Sequence, residues 1–172
     1  MLFRSAARRL SDDRQLQAIA LPLRWARGKE LDAALAPLLT YPKPEIARKA
    51  TEAIGWRLRK RSGPAEPLLA SLKSVDPELA FLAAEGLALA GRGEGVSVLL
   101  TSVDLMPDLN LRKRAVKALG QLADIRALDT LLRFVNEDGH ALQDEAAEAL
   151  GHMGKAAEQQ PGQSDKIFAI LS

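Results

Sequence analysis

The feature that most constrains this chain is a ten-residue figure that occurs four times. It reads Ile46-Ala-Arg-Lys-Ala50-Thr-Glu-Ala53-Ile54-Gly55, then Leu79-Ala-Phe-Leu-Ala83-Ala-Glu-Gly86-Leu87-Ala88, then Leu111-Arg-Lys-Arg-Ala115-Val-Lys-Ala118-Leu119-Gly120, then Leu142-Gln-Asp-Glu-Ala146-Ala-Glu-Ala149-Leu150-Gly151. The starts at 46, 79, 111 and 142 lie 33, 32 and 31 residues apart, and a nearly constant period in this range marks a solenoid of stacked units. Large apolar residues at positions one and nine, with small residues at five and eight, fall on one helical face. That face is predicted to be the seam between neighbouring helices, because alanine and glycine let backbones approach closely. The glycine at position ten is expected to take the left-handed conformation that ends a helix.

A second apolar run follows three of the figures: Pro67-Leu68-Leu69-Ala-Ser-Leu72, Val96-Ser-Val98-Leu99-Leu100-Thr-Ser-Val103, and Leu128-Asp-Thr-Leu131-Leu132-Arg-Phe134-Val135. Each unit therefore reads as a helix, a short turn and a second helix, which is what a repeat of this length holds at about 1.5 Å rise per residue. Only 4% of the chain is aromatic, which suits helices built from leucine and alanine rather than a sheet.

The figure beginning at Leu111, followed by Asp124-Ile-Arg-Ala127-Leu128 and the Leu131-Leu132 helix, resembles the PBS-lyase-type HEAT-like repeat family. The third unit carries the pattern most fully. The fourth matches in its first helix, the first has an extra Pro64-containing stretch, and the second has Ala88 in place of glycine with Gly91-Arg-Gly-Glu-Gly95 in its turn. The resemblance implies an all-α, right-handed superhelix, a HEAT-like (armadillo-like) α solenoid of about five helical hairpins. First helices would lie outside and second helices would line a concave face. It spans 44–154, and its members include lyases acting on bilin chromophores as well as docking scaffolds.

The 172 residues fit a single repeat domain. Residues 1–43 lack the figure and read as a divergent capping unit, 44–154 as the repeats, and 155–172 as a C-terminal cap or a truncated repeat. Ser11-Asp12-Asp13 signals a helix start, Pro22 a kink, Arg27-Gly28-Lys29 a turn, and 31–39 the partner helix with Pro37 inside it. Pro44 suits the first position of the next helix. Asp76-Pro77-Glu78 supplies an N-cap, a first-position proline and an acid at the positive helix end. Lys166-Ile167-Phe168-Ala-Ile170-Leu171 reads as a short final helix.

With no cysteine the chain has neither disulfides nor a thiolate metal site. No run approaches the roughly 20 apolar residues of a membrane span, and a cytoplasmic protein is expected. The arginine-rich start, with Arg4, Arg8 and Arg9 and no acid before Asp12, also has the character of an organelle-targeting segment such as a mitochondrial one. The net charge of +2 conceals an asymmetry: 1–61 carry fourteen basic residues against six acids, and 62–172 carry ten against sixteen. Such a dipolar chain can steer an acidic partner or nucleic acid to its N-terminal half, or align head to tail with a copy.

Arg57, Arg59, Lys60 and Arg61, with Arg48 and Lys49 one helix earlier, make the densest basic cluster. Together with Trp56 or Trp25 as a stacking surface they are candidates for binding nucleic acid or another anion; a tryptophan closing the hydrophobic stack explains the same pattern. Arg112, Lys113, Arg114 and Lys117 form a second basic strip, and Asp124 matches the turn aspartate of the HEAT-like pattern, a resemblance that implies a link between adjacent units. Asp144, Glu145 and Glu148 predict a solvated acidic face. His140 and His152 have no metal-ligand spacing, and the Gly91–Gly95 turn lacks the Lys-Ser/Thr tail of a phosphate loop. No cofactor or metal is expected. The leading expectation is a non-catalytic scaffold that binds an unidentified protein through its concave face, with Glu66, Lys73, Ser97, Thr101, Asp129, Thr130 and Arg133 as contacts. Nucleic-acid binding by the basic half and a bilin-lyase-like role are the other two.

Overall fold

The computed structural model describes Asp32, residues 35–60 and residues 63–159. Among the described residues there are three complete helical hairpins and the first helix of a fourth. The first hairpin is α1 (Pro44–Arg59) and the short α2 (Glu66–Ser71); the second is α3 (Pro77–Leu89) and α4 (Val96–Leu105). The third is α5 (Leu109–Leu122) and α6 (Leu128–Asn136), followed by α7 (Gln143–Gln159). Short 3-10 turns at Ala36–Thr40, Gly93–Gly95 and Ile125–Ala127 precede α1, α4 and α6. The chain divides into two compact units, Met1–Ala90 and Gly91–Ser172, and each has its own packing.

In the first unit the seam forms as the figure requires. Ala50, Ala53 and Ile54 of α1 pack with Ala83 and Leu87 of α3, and Leu35, Leu39, Ala65 and Leu68 complete the cluster. Asp76 caps α3 by accepting hydrogen bonds from the backbone N–H groups of Glu78 (3.0 Å) and Leu79 (3.4 Å), with Pro77 in the first turn. This satisfies two donors that a helix start leaves open. Pro44 opens α1, as its fixed φ favours. Of the expected partner helix over 31–39, Asp32 and Leu35 are α-helical, and Ala36–Thr40, around Pro37, is a 3-10 turn that ends in extended backbone at Tyr41. The helix start at Ser11, the kink at Pro22, the turn at Arg27-Gly28-Lys29 and the final helix at 166–171 lie outside the described residues.

In the second unit the position-five alanines Ala115 and Ala146 are fully buried, as are Leu99, Leu119, Leu131 and Leu142. Asp108 caps α5 through the Asn110 N–H at 2.7 Å. His140 takes the place of a carboxylate before α7: its Nδ1 accepts from the Leu142 N–H at 3.1 Å, while its ring stacks on Phe134 at 4.4 Å. Apolar contact and cap thus fix the entry of α7 together.

Position ten requires a correction. Gly55 and Gly120 do not end their helices; they lie inside α1 and α5, which continue to Arg59 and Leu122. Their role is close approach. A Cβ built on Gly55 would lie 2.8 Å from Gly86 Cα, and one built on Gly120 would lie 2.5 Å from Ala149 Cβ and 2.6 Å from its Cα. In both units position ten of one repeat rests on position eight of the next, backbone against backbone. The left-handed helix ends are instead at Ala123 (φ 55°) after α5 and at Gly91 (φ 78°).

Candidate functional site

Two sets of polar side chains compete for a functional role, those of the first helices and those of the second, and their partners separate them. On α1, position three of the figure is Arg48. Its Nε and Nη2 bind Asp76 at 3.0 and 3.1 Å, and its Nη1 meets Glu78 at 2.7 Å. The matching residue of α5 is Lys113, whose Nζ lies 2.8 Å from Glu145 on α7. Arg112 donates to the Val103 carbonyl of α4 at 2.6 Å. Arg48, Arg112 and Lys113 therefore reach to a neighbouring repeat, position three finding an acid near the start of the next first helix. The second figure has Phe81 at that position.

Ion pairing lowers the pKa of Asp76, Glu145 and Asp124. The hydrogen bond from Arg48 holds Asp76 below the usual carboxylate range, against the opposing effect of partial burial. Hydrogen bonds from Lys113 and Arg126 do the same for Glu145 and Asp124. A carboxylate whose folded pKa is depressed adds stability that is present above its unfolded pKa, about 4, and is lost as pH falls through the folded value. Thermal unfolding between pH 7 and pH 3 is expected to show a fall in stability that begins near pH 4. Arg48→Met should flatten part of that slope, with about 1 kcal/mol or less at stake because the pair is partly exposed. A slope unchanged in the variant would show that the pair contributes nothing.

The seven residues of the basic cluster do not form one surface. Arg57 has no exposed surface, and its Nε donates to Asp32 Oδ1 at 2.7 Å. It is a buried anchor for the segment before α1, and the expectation that it grips phosphate is corrected on that ground. Arg48 is engaged by Asp76 and Glu78, and Lys49 by Glu52 at 3.1 Å. Arg59 and Lys60 are exposed in and after the last turn of α1, where cations favour the negative helix end. Lys60 lies 5.6 Å from the half-buried Trp56 ring. Arg61 and Trp25 lie outside the described residues.

The Gly91–Gly95 turn is held by the next hairpin of its own unit. Arg126 donates to both Asp124 oxygens and, through Nη2, to the Gly93 carbonyl at 2.9 Å. Asp124 thus acts through Arg126, and a Cβ on Gly93 would come within 3.0 Å of that guanidinium. Glu145, placed by its sequence on a solvated face, is instead the partner of Lys113.

The second helices present a different surface. In the first unit Glu66 opens α2 and Lys73 follows its end, both exposed. In the second unit Ser97 and Thr101 stand one turn apart on α4, and Thr101 donates to the Ser97 carbonyl at 3.0 Å. Asp129 and Arg133 stand one turn apart on α6 and are exposed, with Thr130 half-buried beside them. Arg133 crosses to Asp104 of α4 at 2.7 Å and lies over the Phe134 ring at 4.9 Å. Asp104 was missed from sequence, although it follows Ser97 and Thr101 at helical spacing. No group of three or more histidine, cysteine or acidic side chains among the described residues is arranged to hold a metal ion. No described helix is long and apolar enough to cross a membrane.

A sequence profile described as HEAT repeats matches residues 65–151. Two crystal structures of engineered proteins from the Northeast Structural Genomics Consortium are similar in fold. One is 22% identical with a TM-score of 0.55 and covers 88% of this chain and 81% of its own. The other is 23% identical with a TM-score of 0.53 and covers 84% of this chain, which spans 45% of that protein. At this identity the likeness shows the fold alone, an all-α helical-repeat solenoid. No curated protein matches the chain.

Proposed function

Because the chain belongs to the HEAT repeat family, we propose that it is a scaffold that holds a protein partner on the outward faces of its second helices. The observation that supports this reading is the division of labour between the helices. Arg48, Arg112 and Lys113 of the first helices are bound to neighbouring repeats. Glu66, Lys73, Ser97, Thr101 and Asp129 are exposed on or beside the second helices, and among the described residues no ion pair engages Glu66, Lys73 or Asp129. Side chains already committed within a fold contribute little to a new contact, because the partner must first outcompete an existing ion pair. Short hydroxyl and carboxylate side chains on a rigid helix lose little freedom when they dock.

The test is a pair of surface variants. Ser97→Arg with Thr101→Arg places bulk and charge on the α4 face, and Lys117→Glu changes an exposed position on the first helix α5. Partner proteins cross-linked to the chain in host extract are expected to be lost from the α4 variant and kept by the α5 variant. The reverse pattern would overturn the reading.

A further inference from the structure

We propose that the second-helix face of the Gly91–Ser172 unit receives the arginine-rich segment 1–10 of a second copy of this chain. The inference rests on the scaffold reading of that face and names its occupant. Asp129, Arg133 and Glu137 follow one another at four-residue spacing along and just beyond α6, and Asp104 joins them through its ion pair with Arg133. Of the three carboxylates, Asp104 pairs with the guanidinium, and both members of that pair are about half exposed, at 55% and 45%. Asp129 and Glu137 have no ion-pair partner among the described residues. Next to Asp104, Leu105 is 75% exposed, so the face offers acid and apolar surface together.

The complement is in the same sequence. Met1-Leu-Phe-Arg4-Ser-Ala-Ala-Arg8-Arg9-Leu10 carries three arginines, no acid, and the apolar residues Leu2, Phe3 and Leu10. An arriving guanidinium can pair with Asp129 or Glu137 without displacing an ion pair among the described residues, or take Asp104 from Arg133. An arginine fork matches a carboxylate in two-point geometry, and opposite charge accelerates the encounter. Docking between copies also follows from the opposite sign of the two ends of the chain, since each copy supplies the segment that its neighbour's face lacks.

The experiment uses a labelled peptide of residues 1–12 and the full chain with Arg4, Arg8 and Arg9 changed to Ser, which leaves the face free of its own segment. At low salt the peptide is expected to bind, and Asp129→Lys with Glu137→Lys should weaken it by about tenfold or more. Asp144→Lys, an exposed acid on the first helix α7, should leave binding nearly unchanged; circular dichroism checks that each variant is folded. In sedimentation equilibrium the unmodified chain should gain mass with concentration at low salt and lose that gain in high salt or in the Ser variant. Absence of peptide binding, equal loss in the α6 and α7 variants, or a monomer throughout would overturn the proposal. Those results would leave the scaffold reading standing if the α4 variant still loses its cross-linked partners.

Discussion

Gly120→Leu is expected to destabilise the Gly91–Ser172 unit by about 3 kcal/mol or more, at the upper end of what overpacking costs, because relief requires moving backbone rather than a side chain. A Cβ at this position would lie 2.6 Å from Ala149 Cα, so α5 and α7 must separate before even a methyl group fits. Separation exposes Leu119, Ala146 and Met153, all now buried, and each loses close contacts in turn. The control is at the same place in the repeat. Gly151 is also position ten, but nothing lies within 4 Å of a Cβ there. Gly151→Ala is therefore expected to stabilise by up to about 1 kcal/mol, the helix-propensity difference between the two residues. Urea unfolding of the two variants should give opposite signs. Equal effects would show that the α5–α7 contact does not constrain the residue.

Arg57→Met is expected to cost about 3–5 kcal/mol in the first unit, the range for breaking a buried ion pair on one side. The guanidinium is fully buried, and its partner Asp32 keeps only 12% exposure, so the variant leaves a carboxylate with little water to replace the 2.7 Å contact. The methionine stem fills most of the same volume, which confines the loss to charge and hydrogen bonds. Adding Asp32→Leu should recover much of the stability, since an apolar pair of similar size avoids the desolvation that the ions incur. Denaturant midpoints of the wild type, both single variants and the double variant form the cycle. Strictly additive losses would mean that the two residues do not act on each other.

What could be read from the sequence was whatever repeats. Positions one, five, eight and nine recur, and the buried alanines at 50, 83, 115 and 146 follow from that recurrence. The cap at Asp76 was legible because a cap is local, set by two or three residues of sequence. Position ten was misassigned because glycine serves both a left-handed helix end and a close crossing, and the choice depends on how far the helix runs beyond it. Arg57 was read as surface because it sits among Arg59, Lys60 and Arg61; its partner, Asp32, is 25 residues away, and no local pattern connects them. That Ser97, Thr101, Asp129 and Arg133 are exposed on their helices follows from helical phase once the buried stripe is fixed. Asp104 needed the Arg133 contact, which joins helices 29 residues apart in sequence.

The pairing of position three with the following helix start gives the array a grammar. Arg48 and Lys113 each look forward, to Asp76 with Glu78 and to Glu145 respectively. A repeat of this kind therefore carries a plug at its own third position and a socket just ahead of, or just inside, its first helix. Two such repeats exchanged in order would still present apolar stripes that match, but one written backwards or begun without an acid would leave the preceding cation without its carboxylate. Anyone lengthening the chain would need to copy the residues before each figure along with the figure itself.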